Sequence, residues 1–357
     1  MGTDADADER VLRDIRDSLG IPGLSFRRFR GADDFVTMSE ISRESWKADG
    51  FEWSVSPEDI ANALEHSKDA DLRRDLVFVE VDGHVVGHGE VGWGWQDPTT
   101  TVYSHRASLL GAWRGKGIRE ALLRINEHRI REVAGGHREA RRKFFQTWAA
   151  EDPNDWRILV ERAGYVQEWH LVEMVRPDLE DFPDHAVPAG LQVRRVRRED
   201  YPLVWEALCE LRRDEPTFTE ESCDAYHYRE WLGSSTFRPE LWQVAWDGAT
   251  LAGMVLNRVD EEFNRSLGRK RGFTEEVFVR PPYRRKGLAK ALLSRSLRMH
   301  AGLGMEEAGL DAEVRNPHMA VKLYESLGYR VVKRFTFYRK PVDPGRGDTA
   351  GDPTRGR

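Results

Sequence analysis

The sequence predicts an α/β (α+β) protein made of two tandem copies of one unit, each with a central mixed β-sheet flanked by helices. Three observations lead to this prediction. The chain has 357 residues, four landmarks occur twice, and each copy alternates strand patterns with helix patterns. A chain of this length favours two domains, each large enough to bury a core. Landmarks repeated at a nearly constant offset indicate a duplicated domain.

The landmarks follow the same order in both copies. They are an alternating strand with an acidic turn and a helix pattern, a hairpin with an Asp-Gly turn, a basic glycine turn that opens a helix, and a Gly-Tyr pair before the last strand. They lie at 24–30 and 191–197, at 77–87 and 242–253, at 113–119 and 283–289, and at 163–165 and 327–329. Each copy therefore reads strand, helix, hairpin, strand, glycine turn and helix, strand, helix, strand.

Changes in composition predict the boundaries of these units. Pro177, Pro183 and Pro188 break the periodicity between the copies, and the end of the chain is rich in glycine and proline. The prediction is an acidic N-terminal extension at 1–20, a first copy at 21–177, a linker at 178–189, a second copy at 190–342 and a disordered tail at 343–357.

Composition excludes several classes of function. The net charge is −6 and the pI about 6.1, so no overall positive field attracts nucleic acid or anionic lipid. Cys209 and Cys223 are too few for a disulfide framework or a zinc site and point to a reducing cytosol. The acidic start of the chain lacks the apolar region of a signal peptide, and no apolar run approaches 18 residues. We therefore expect a soluble cytoplasmic protein.

The second glycine turn carries the clearest chemical signal. A strand containing Val277, Phe278 and Val279 leads into Arg284-Arg285-Lys286-Gly287-Leu288-Ala289, and a helix continues from Lys290. Such a turn directs backbone N–H groups and the positive end of a helix dipole at one point, which suits a pyrophosphate. The P-loop pattern and the dinucleotide fingerprint both fail here, because the segment has neither the Gly-Lys-Ser/Thr ending nor a second glycine.

The order of these parts resembles the GNAT family, the acyl-CoA-dependent N-acetyltransferases, whose motif Arg/Gln-x-x-Gly-x-Gly/Ala is matched at 284–289. The resemblance implies acetyl-CoA as co-substrate, with no metal. Asn316 resembles the asparagine of the family's Asn-x-x-Ala element, although Ala320 lies four residues further on rather than three. The CoA-binding residues that the resemblance implies are Val277, Phe278, Val279, Arg284, Arg285, Lys286, Gly287, Leu288, Ala289, Lys290 and Asn316.

The resemblance also implies a catalytic acid in the second copy only. Tyr324 lies in the Leu-Tyr-x-x-x-Gly-Tyr segment, where the family places the group that protonates the departing thiolate. Val160 takes this position in the first copy, and Arg119 stands where the second copy has the small Ala289. We therefore interpret the first copy as degenerate, with a structural or substrate-shaping role.

Three carboxylates are candidates for the general base. Glu275 and Glu276 lie on the strand before the glycine turn, and Glu313 lies on the next strand. Strand alternation directs Glu275 and Glu276 to opposite faces, so at most one of them is expected to face the site. A water relay is an alternative to any of them.

The leading hypothesis is an enzyme that moves an acetyl group from acetyl-CoA to a primary amine of a small molecule or peptide, with the chemistry in the second copy. Two other classes remain open. One is a sensor that binds acyl-CoA without turnover, and the acid at Tyr324 argues against it because binding needs no acid. The other is a scaffold of two inert copies, and the intact turn at 284–289 argues against it. The sequence does not identify the acceptor or the oligomeric state.

Overall fold

A computed structural model of the protein describes residues 4–51, 55–65, 70–97, 99–138, 141–151, 155–213, 218, 223–234, 237–314 and 320–343. The predicted disordered tail lies outside these residues, apart from Asp343, and so does Asn316. None of the described helices is both long enough and apolar enough to cross a membrane.

The N-terminal half follows the predicted order of strands, with one extra helix at its start and two further helices, the third and fourth, between its second helix and the hairpin. Its helices are α1 (Asp4–Leu19), α2 (Asp33–Ala48), α3 (Pro57–Glu65), α4 (Leu72–Asp75), α5 (Ile118–Gly136) and α6 (Asp155–Arg162). Its strands are β1 (Leu24–Arg28), β2 (Leu76–Val81), β3 (His84–Asp97), β4 (Thr100–Leu109), β5 (Arg142–Ala150) and β6 (Val166–Arg176).

The C-terminal half repeats this plan with a short helix inserted before its fourth strand. Its helices are α7 (Tyr201–Arg212), α8 (Ala225–Gly233), α9 (Glu261–Leu267), α10 (Leu288–Gly302) and α11 (Ala320–Glu325). Its strands are β7 (Gln192–Arg194), β8 (Gln243–Asp247), β9 (Thr250–Val259), β10 (Arg271–Val279), β11 (Glu307–Glu313) and β12 (Arg330–Pro341). The predicted α/β class with a mixed sheet in each half is confirmed.

One sheet runs through both halves because they exchange their last strands. The strand order is β1-β2-β3-β4-β5-β12-β6-β11-β10-β9-β8-β7. Strand β6 of the N-terminal half pairs with β11, and β12 of the C-terminal half pairs with β5. Two neighbouring pairs are parallel, β4 with β5 and β10 with β11, and they occupy equivalent places in the two halves. Each half therefore depends on a strand from the other to complete its sheet.

The two faces of the C-terminal sheet carry different layers. Val255, Leu310 and Ala312 belong to a core cluster with α10 and α11. Met254 and Leu256 belong to a cluster on the opposite face with α7. A ligand that passes between β10 and β11 would contact both faces of the sheet.

The predicted N-terminal extension contains a helix that packs onto the N-terminal half. Leu12 and Ile15 of α1 are buried, 4% and 5% exposed, in the core cluster that contains α5. Its last residue, Leu19, also packs against that cluster. Although the sequence of α1 is acidic, its apolar stripe binds it to the fold.

The expectation that the two cysteines indicate a reducing cytosol loses its basis. Cys209 at the buried side of α7 and Cys223 just before α8 form a disulfide, with their Cα atoms 5.8 Å apart. This cross-link ties together two helices that cover one face of the C-terminal sheet. The cysteine count therefore gives no support for a reducing compartment, and a cytoplasmic location stays a prediction.

Candidate active site

The glycine turn in the C-terminal half is open to a ligand. After β10 the chain makes one helical turn and reaches Arg285 and Gly287, both with left-handed backbone conformations at φ 63° and 87°. Helix α10 then begins at Leu288, which is 1% exposed and anchors the helix in the core. A Cβ added at Gly287 would meet no atom within 4 Å. The helix N-terminus therefore faces free space at the place where a phosphate is expected.

The basic side chains of this turn divide into two kinds. Arg284 Nε donates a hydrogen bond of 2.8 Å to the carbonyl oxygen of Val279, so this side chain braces the turn against the end of β10. Arg285 and Lys286 are exposed, and Lys290 is half-buried on the first turn of α10. The charge available to a phosphate group therefore comes chiefly from Arg285 and Lys286.

A gap between β10 and β11 leads away from the turn. The two parallel strands pair only from Arg271 with Glu307 to Thr274 with Leu310. Both strands continue, β10 to Val279 and β11 to Glu313, without further pairing to each other. Two diverging strands present backbone N–H and C=O groups to the space between them, and an extended ligand can satisfy these groups.

A β-bulge at Glu275 corrects the predicted alternation of the two glutamates. Thr274 pairs with Asn257 of β9 and Glu276 pairs with Leu256, so Glu275 is the extra residue. Glu275 lies 3.0 Å from Arg258, and Glu276 lies 3.8 Å from Arg212 of α7. Both carboxylates consequently point to the face that α7 covers, and the expectation of opposite faces is wrong.

Tyr324 lies on α11 close to the same gap. Its side chain is 6% exposed and packs against Tyr329 with the ring centroids 6.0 Å apart. Burial raises the pKa of Tyr324 above its ordinary value, and the nearby Tyr329 and Glu276 add to the shift. The hydroxyl therefore keeps its proton at neutral pH, as a general acid must before it reacts. Among the predicted bases, Glu276 is the one that acts electrostatically on Tyr324.

Asp311 is a candidate that the sequence interpretation missed. It follows Leu310, the last residue of β11 that pairs with β10, and it lies opposite Glu173 of β6. The side chain is exposed, but the surrounding protein atoms still hinder its hydration, and together with the charge of Glu173 they raise the pKa of Asp311 to about 7. The signal in the sequence was an acidic residue between two core residues of a strand. Glu313 is half-buried two residues further along β11.

The equivalent gap in the N-terminal half is closed by Arg119. Its guanidinium lies 2.6 Å from Asp49 and 2.7 Å from Asp155, and Nε donates to the carbonyl oxygen of Ala107 on β4 at 3.0 Å. The side chain is 7% exposed, and only about 20 Å³ of empty space remains around it. The backbone group that an extended ligand would use is thus already bonded to the protein.

The N-terminal glycine turn is covered as well. Gly117 has the same left-handed conformation as Gly287, at φ 79°. A Cβ added at Gly117 would lie 3.1 Å from Leu19 of α1, whereas the corresponding space beside Gly287 is free. Val160, in the position of Tyr324, is fully buried and has no proton to donate.

One group of potential metal ligands lies away from the gap. Asp8, His128 and Glu132 approach one another within 4.8 Å. Asp8 also binds Arg28, and Glu132 binds Arg74 at 3.0 Å. These carboxylates are already neutralised by arginines.

Comparison with known proteins agrees with the fold. Residues 205–329 match the Acetyltransferase (GNAT) family, so the C-terminal half carries a domain similar to this family. A mycothiol acetyltransferase from Propionibacterium freudenreichii subsp. shermanii is 29% identical over 209 residues, which cover 57% of this chain and 64% of that protein. The chain thus spans less than two thirds of the length of this relative.

Solved structures show the same architecture. A GCN5-related N-acetyltransferase from Sphaerobacter thermophilus aligns with a TM-score of 0.66 and 21% identity, over 90% of this chain and 96% of that one. A tandem GNAT protein from the clavulanic acid biosynthesis pathway aligns with a TM-score of 0.60 and 16% identity, over 90% and 99% of the two chains. At these identities the likeness establishes the fold alone.

Proposed function

We propose that the protein is an acyl-CoA-dependent N-acetyltransferase that acetylates a primary amine of a small molecule or peptide, with its chemistry in the C-terminal half. The contrast between the halves carries this proposal. One half has an open glycine turn at Gly287 and a tyrosine beside a strand gap, whereas the other has its turn covered by Leu19 and its gap filled by Arg119. The family match over 205–329 supports the same half.

The residues of the turn fit a pyrophosphate. The left-handed backbone at Arg285 and Gly287 and the free N-terminus of α10 would hold the phosphates, with the exposed Arg285 and Lys286 supplying charge. Val277 to Val279 would offer the backbone edge of β10 along the gap. When bound, acetyl-CoA supplies an acetyl thioester as the acyl donor.

Two kinds of group then serve the transfer of the acetyl group to nitrogen. A carboxylate takes the proton of the acceptor ammonium, directly or through water, so that the amine can attack the thioester carbon. Asp311 is favoured for this step because a base works best with a pKa near the working pH. Glu276 is the second candidate, since it lies near Tyr324. Tyr324 protonates the thiolate as the carbon–sulfur bond breaks.

The charge on the acceptor side suits a cationic amine. Glu275, Glu276 and Asp311 lie on the α7 face of the gap, and the two arginines beside them are Arg212 and Arg258. Asp311 also lies beside Glu173, whose carboxylate is bonded to Arg271, so the carboxylates named on this face outnumber the arginines named with them by four to three. A protonated amine would be attracted to this face and then deprotonated there.

The N-terminal half is proposed to help build the acceptor pocket through β6. Glu173 of this strand lies opposite Asp311, and it binds Arg271 of β10 at 2.9 Å. A fragment that starts near Val187 would lack β6 and leave β11 without this partner. The contribution of the N-terminal half is therefore best tested in the full chain, with the variant Glu173→Gln.

The test is a thiol-release assay with acetyl-CoA and a panel of primary amines, run beside calorimetry with CoA. Turnover on at least one amine, lost in Tyr324→Phe, supports the proposal. CoA binding without turnover on any amine favours a sensor of acyl-CoA. Absence of CoA binding contradicts both and leaves a scaffold.

A further inference from the structure

A cavity of about 480 Å³ lies in the N-terminal half, between β3, β4, β5 and β12 and beside α3. It adjoins the closed gap at Arg119, where a cavity of only about 20 Å³ remains, and the two share Arg106 and Trp148 in their walls. The N-terminal half therefore has space for a small ligand, although its gap between β4 and β5 is too small for a cofactor. A volume of this size is typical of pockets for small molecules.

The position of the cavity matches the acceptor side of the C-terminal half. The two halves align by their glycine turns, Gly117 with Gly287, once the extra residue Glu275 is left out. In this alignment Arg106 of β4 corresponds to Glu276 of β10. The partner strands then align so that Trp148 of β5 takes the place of Asp311. Trp148 pairs with Phe337 of β12 in the way that Asp311 pairs with Glu173 of β6.

The chemistry at these matched positions is reversed. The C-terminal half presents carboxylates at all three, whereas the cavity presents an arginine and two aromatic rings. Arg339 of β12, 8% exposed, also lines the cavity. Asp75 and Glu90 also line the cavity, but Asp75 is bonded to Arg129 at 2.8 Å and Glu90 to Arg106. Among the described lining residues, Arg339 is therefore the cation that can bind a negative group on a ligand with an apolar body.

Buried polar atoms in the cavity wall lack partners among the described residues. Arg339 donates from Nε to Gln146 at 2.8 Å, and its Nη1 is 3.9 Å from Glu168, but Nη2 has no hydrogen-bond partner. Gln96 Oε1 and Thr147 Oγ1 are likewise unpaired, and both residues line the cavity. An unpaired buried donor or acceptor is costly, so these atoms indicate a missing polar partner.

We propose that this cavity binds a small organic carboxylate with an aromatic or otherwise flat apolar body, its carboxylate on Arg339 and its ring against Trp148 and Phe337. Arginine suits this role because its planar guanidinium binds carboxylates with charge-assisted hydrogen bonds. The unpaired oxygen of Gln96 favours a ligand that also carries a donor such as an amino or hydroxyl group. The site is one of binding without turnover, since the adjoining gap is filled by Arg119.

The test is titration calorimetry of the full chain without acetyl-CoA, using three probes that share one ring. They are 3-phenylpropanoate, L-phenylalanine, and L-phenylalaninamide, which lacks the carboxylate. We expect both acids to bind and the amide to bind at least about tenfold more weakly, as the loss of one charge-assisted hydrogen bond implies. Because acetyl-CoA is absent, failure here is separable from failure of the proposed acetyl transfer.

Variants locate the site. Arg339→Gln should weaken binding of the acids by about tenfold or more, while Arg330→Gln, an exposed arginine on the same strand, should leave it unchanged. Asp311→Asn should also leave it unchanged, because Asp311 belongs to the other half. Binding of the amide as tight as that of the acids, no binding of any probe, or acid binding that survives Arg339→Gln would overturn the proposal. If Arg339→Gln does not fold, the comparison of acids with amide in the natural chain still decides.

Discussion

Replacement of Tyr324 by phenylalanine separates a role in chemistry from a role in packing. The ring is buried, 6% exposed, and phenylalanine preserves it while removing the proton. General acid catalysis typically contributes about 10²–10⁴-fold, equivalent to about 3–5 kcal/mol of transition-state stabilisation. We expect turnover to fall by that factor while the dissociation constant for acetyl-CoA changes by less than about threefold, because the hydroxyl acts in the transition state. Steady-state thiol release and calorimetry measure the two quantities.

Tyr329→Phe is the matched control. Tyr329 packs against Tyr324, is 2% exposed, and its hydroxyl lies near the side chain of Thr274. The two variants remove the same atom from the same aromatic pair, so a packing effect would appear in both. Turnover of Tyr324→Phe within threefold of the natural chain, or an equal loss in Tyr329→Phe, would refute the assignment of Tyr324 as the acid.

Three further predictions concern the difference between the halves and the base. Gly287→Val should weaken acetyl-CoA binding by at least about tenfold in calorimetry, whereas Gly117→Val should weaken it little. Both variants strain a left-handed backbone by about 1–3 kcal/mol, but only Gly287 faces the ligand. Equal losses of binding would contradict a single active half. Asp311→Asn should remove a rise of kcat/KM with pH centred near pH 7, because a base of pKa about 7 acts only when deprotonated; an unchanged pH profile would exclude Asp311. Arg119→Ala should lower the free energy of unfolding by about 1.5–3 kcal/mol, because it removes charge-assisted hydrogen bonds to Asp49 and Asp155 while Arg114 still pairs with Asp49, and a denaturant midpoint within error of the natural chain would contradict that pairing.

The sequence predicted the parts of the fold that depend on local pattern. The turn at Gly287 follows from a glycine after a strand and before an apolar helix, and the structure has α10 beginning at the next residue. The repeat could be recognised because the glycine turn and the Asp-Gly hairpin turn have similar residues in both copies. The degenerate first copy was inferred from Val160 and Arg119, and for Arg119 the structure adds the physical reason, which is the contact of its guanidinium with Asp49 and Asp155.

Features that depend on distant residues could not be predicted. Strands β6 and β12 could each pair within their own half or, as in the structure, with the other half. The sequence pattern of each strand fits both positions, so it does not reveal the exchange. The bulge at Glu275 has no local signature, since only pairing with β9 makes one residue extra. The disulfide of Cys209 with Cys223 likewise depends on how α7 and α8 pack, which two cysteines in a sequence do not reveal.

The role of Asp311 was hidden for a similar reason. Its side chain is exposed, as expected of an outward residue on a strand, and its raised pKa comes from hindered hydration among the surrounding protein atoms and from Glu173 on β6. That neighbour comes from the other half of the chain. A carboxylate with a tuned pKa is therefore visible only once the strand exchange is known.

The number of acetyl-CoA molecules bound per chain tests most directly the claim that one half is open and the other sealed. Titration calorimetry of the full chain with acetyl-CoA, in the absence of an acceptor amine, should give one site per chain, because the turn at Gly287 is free while Leu19 and Arg119 close the equivalent space in the N-terminal half. Two equivalent sites per chain, or none, would contradict the account.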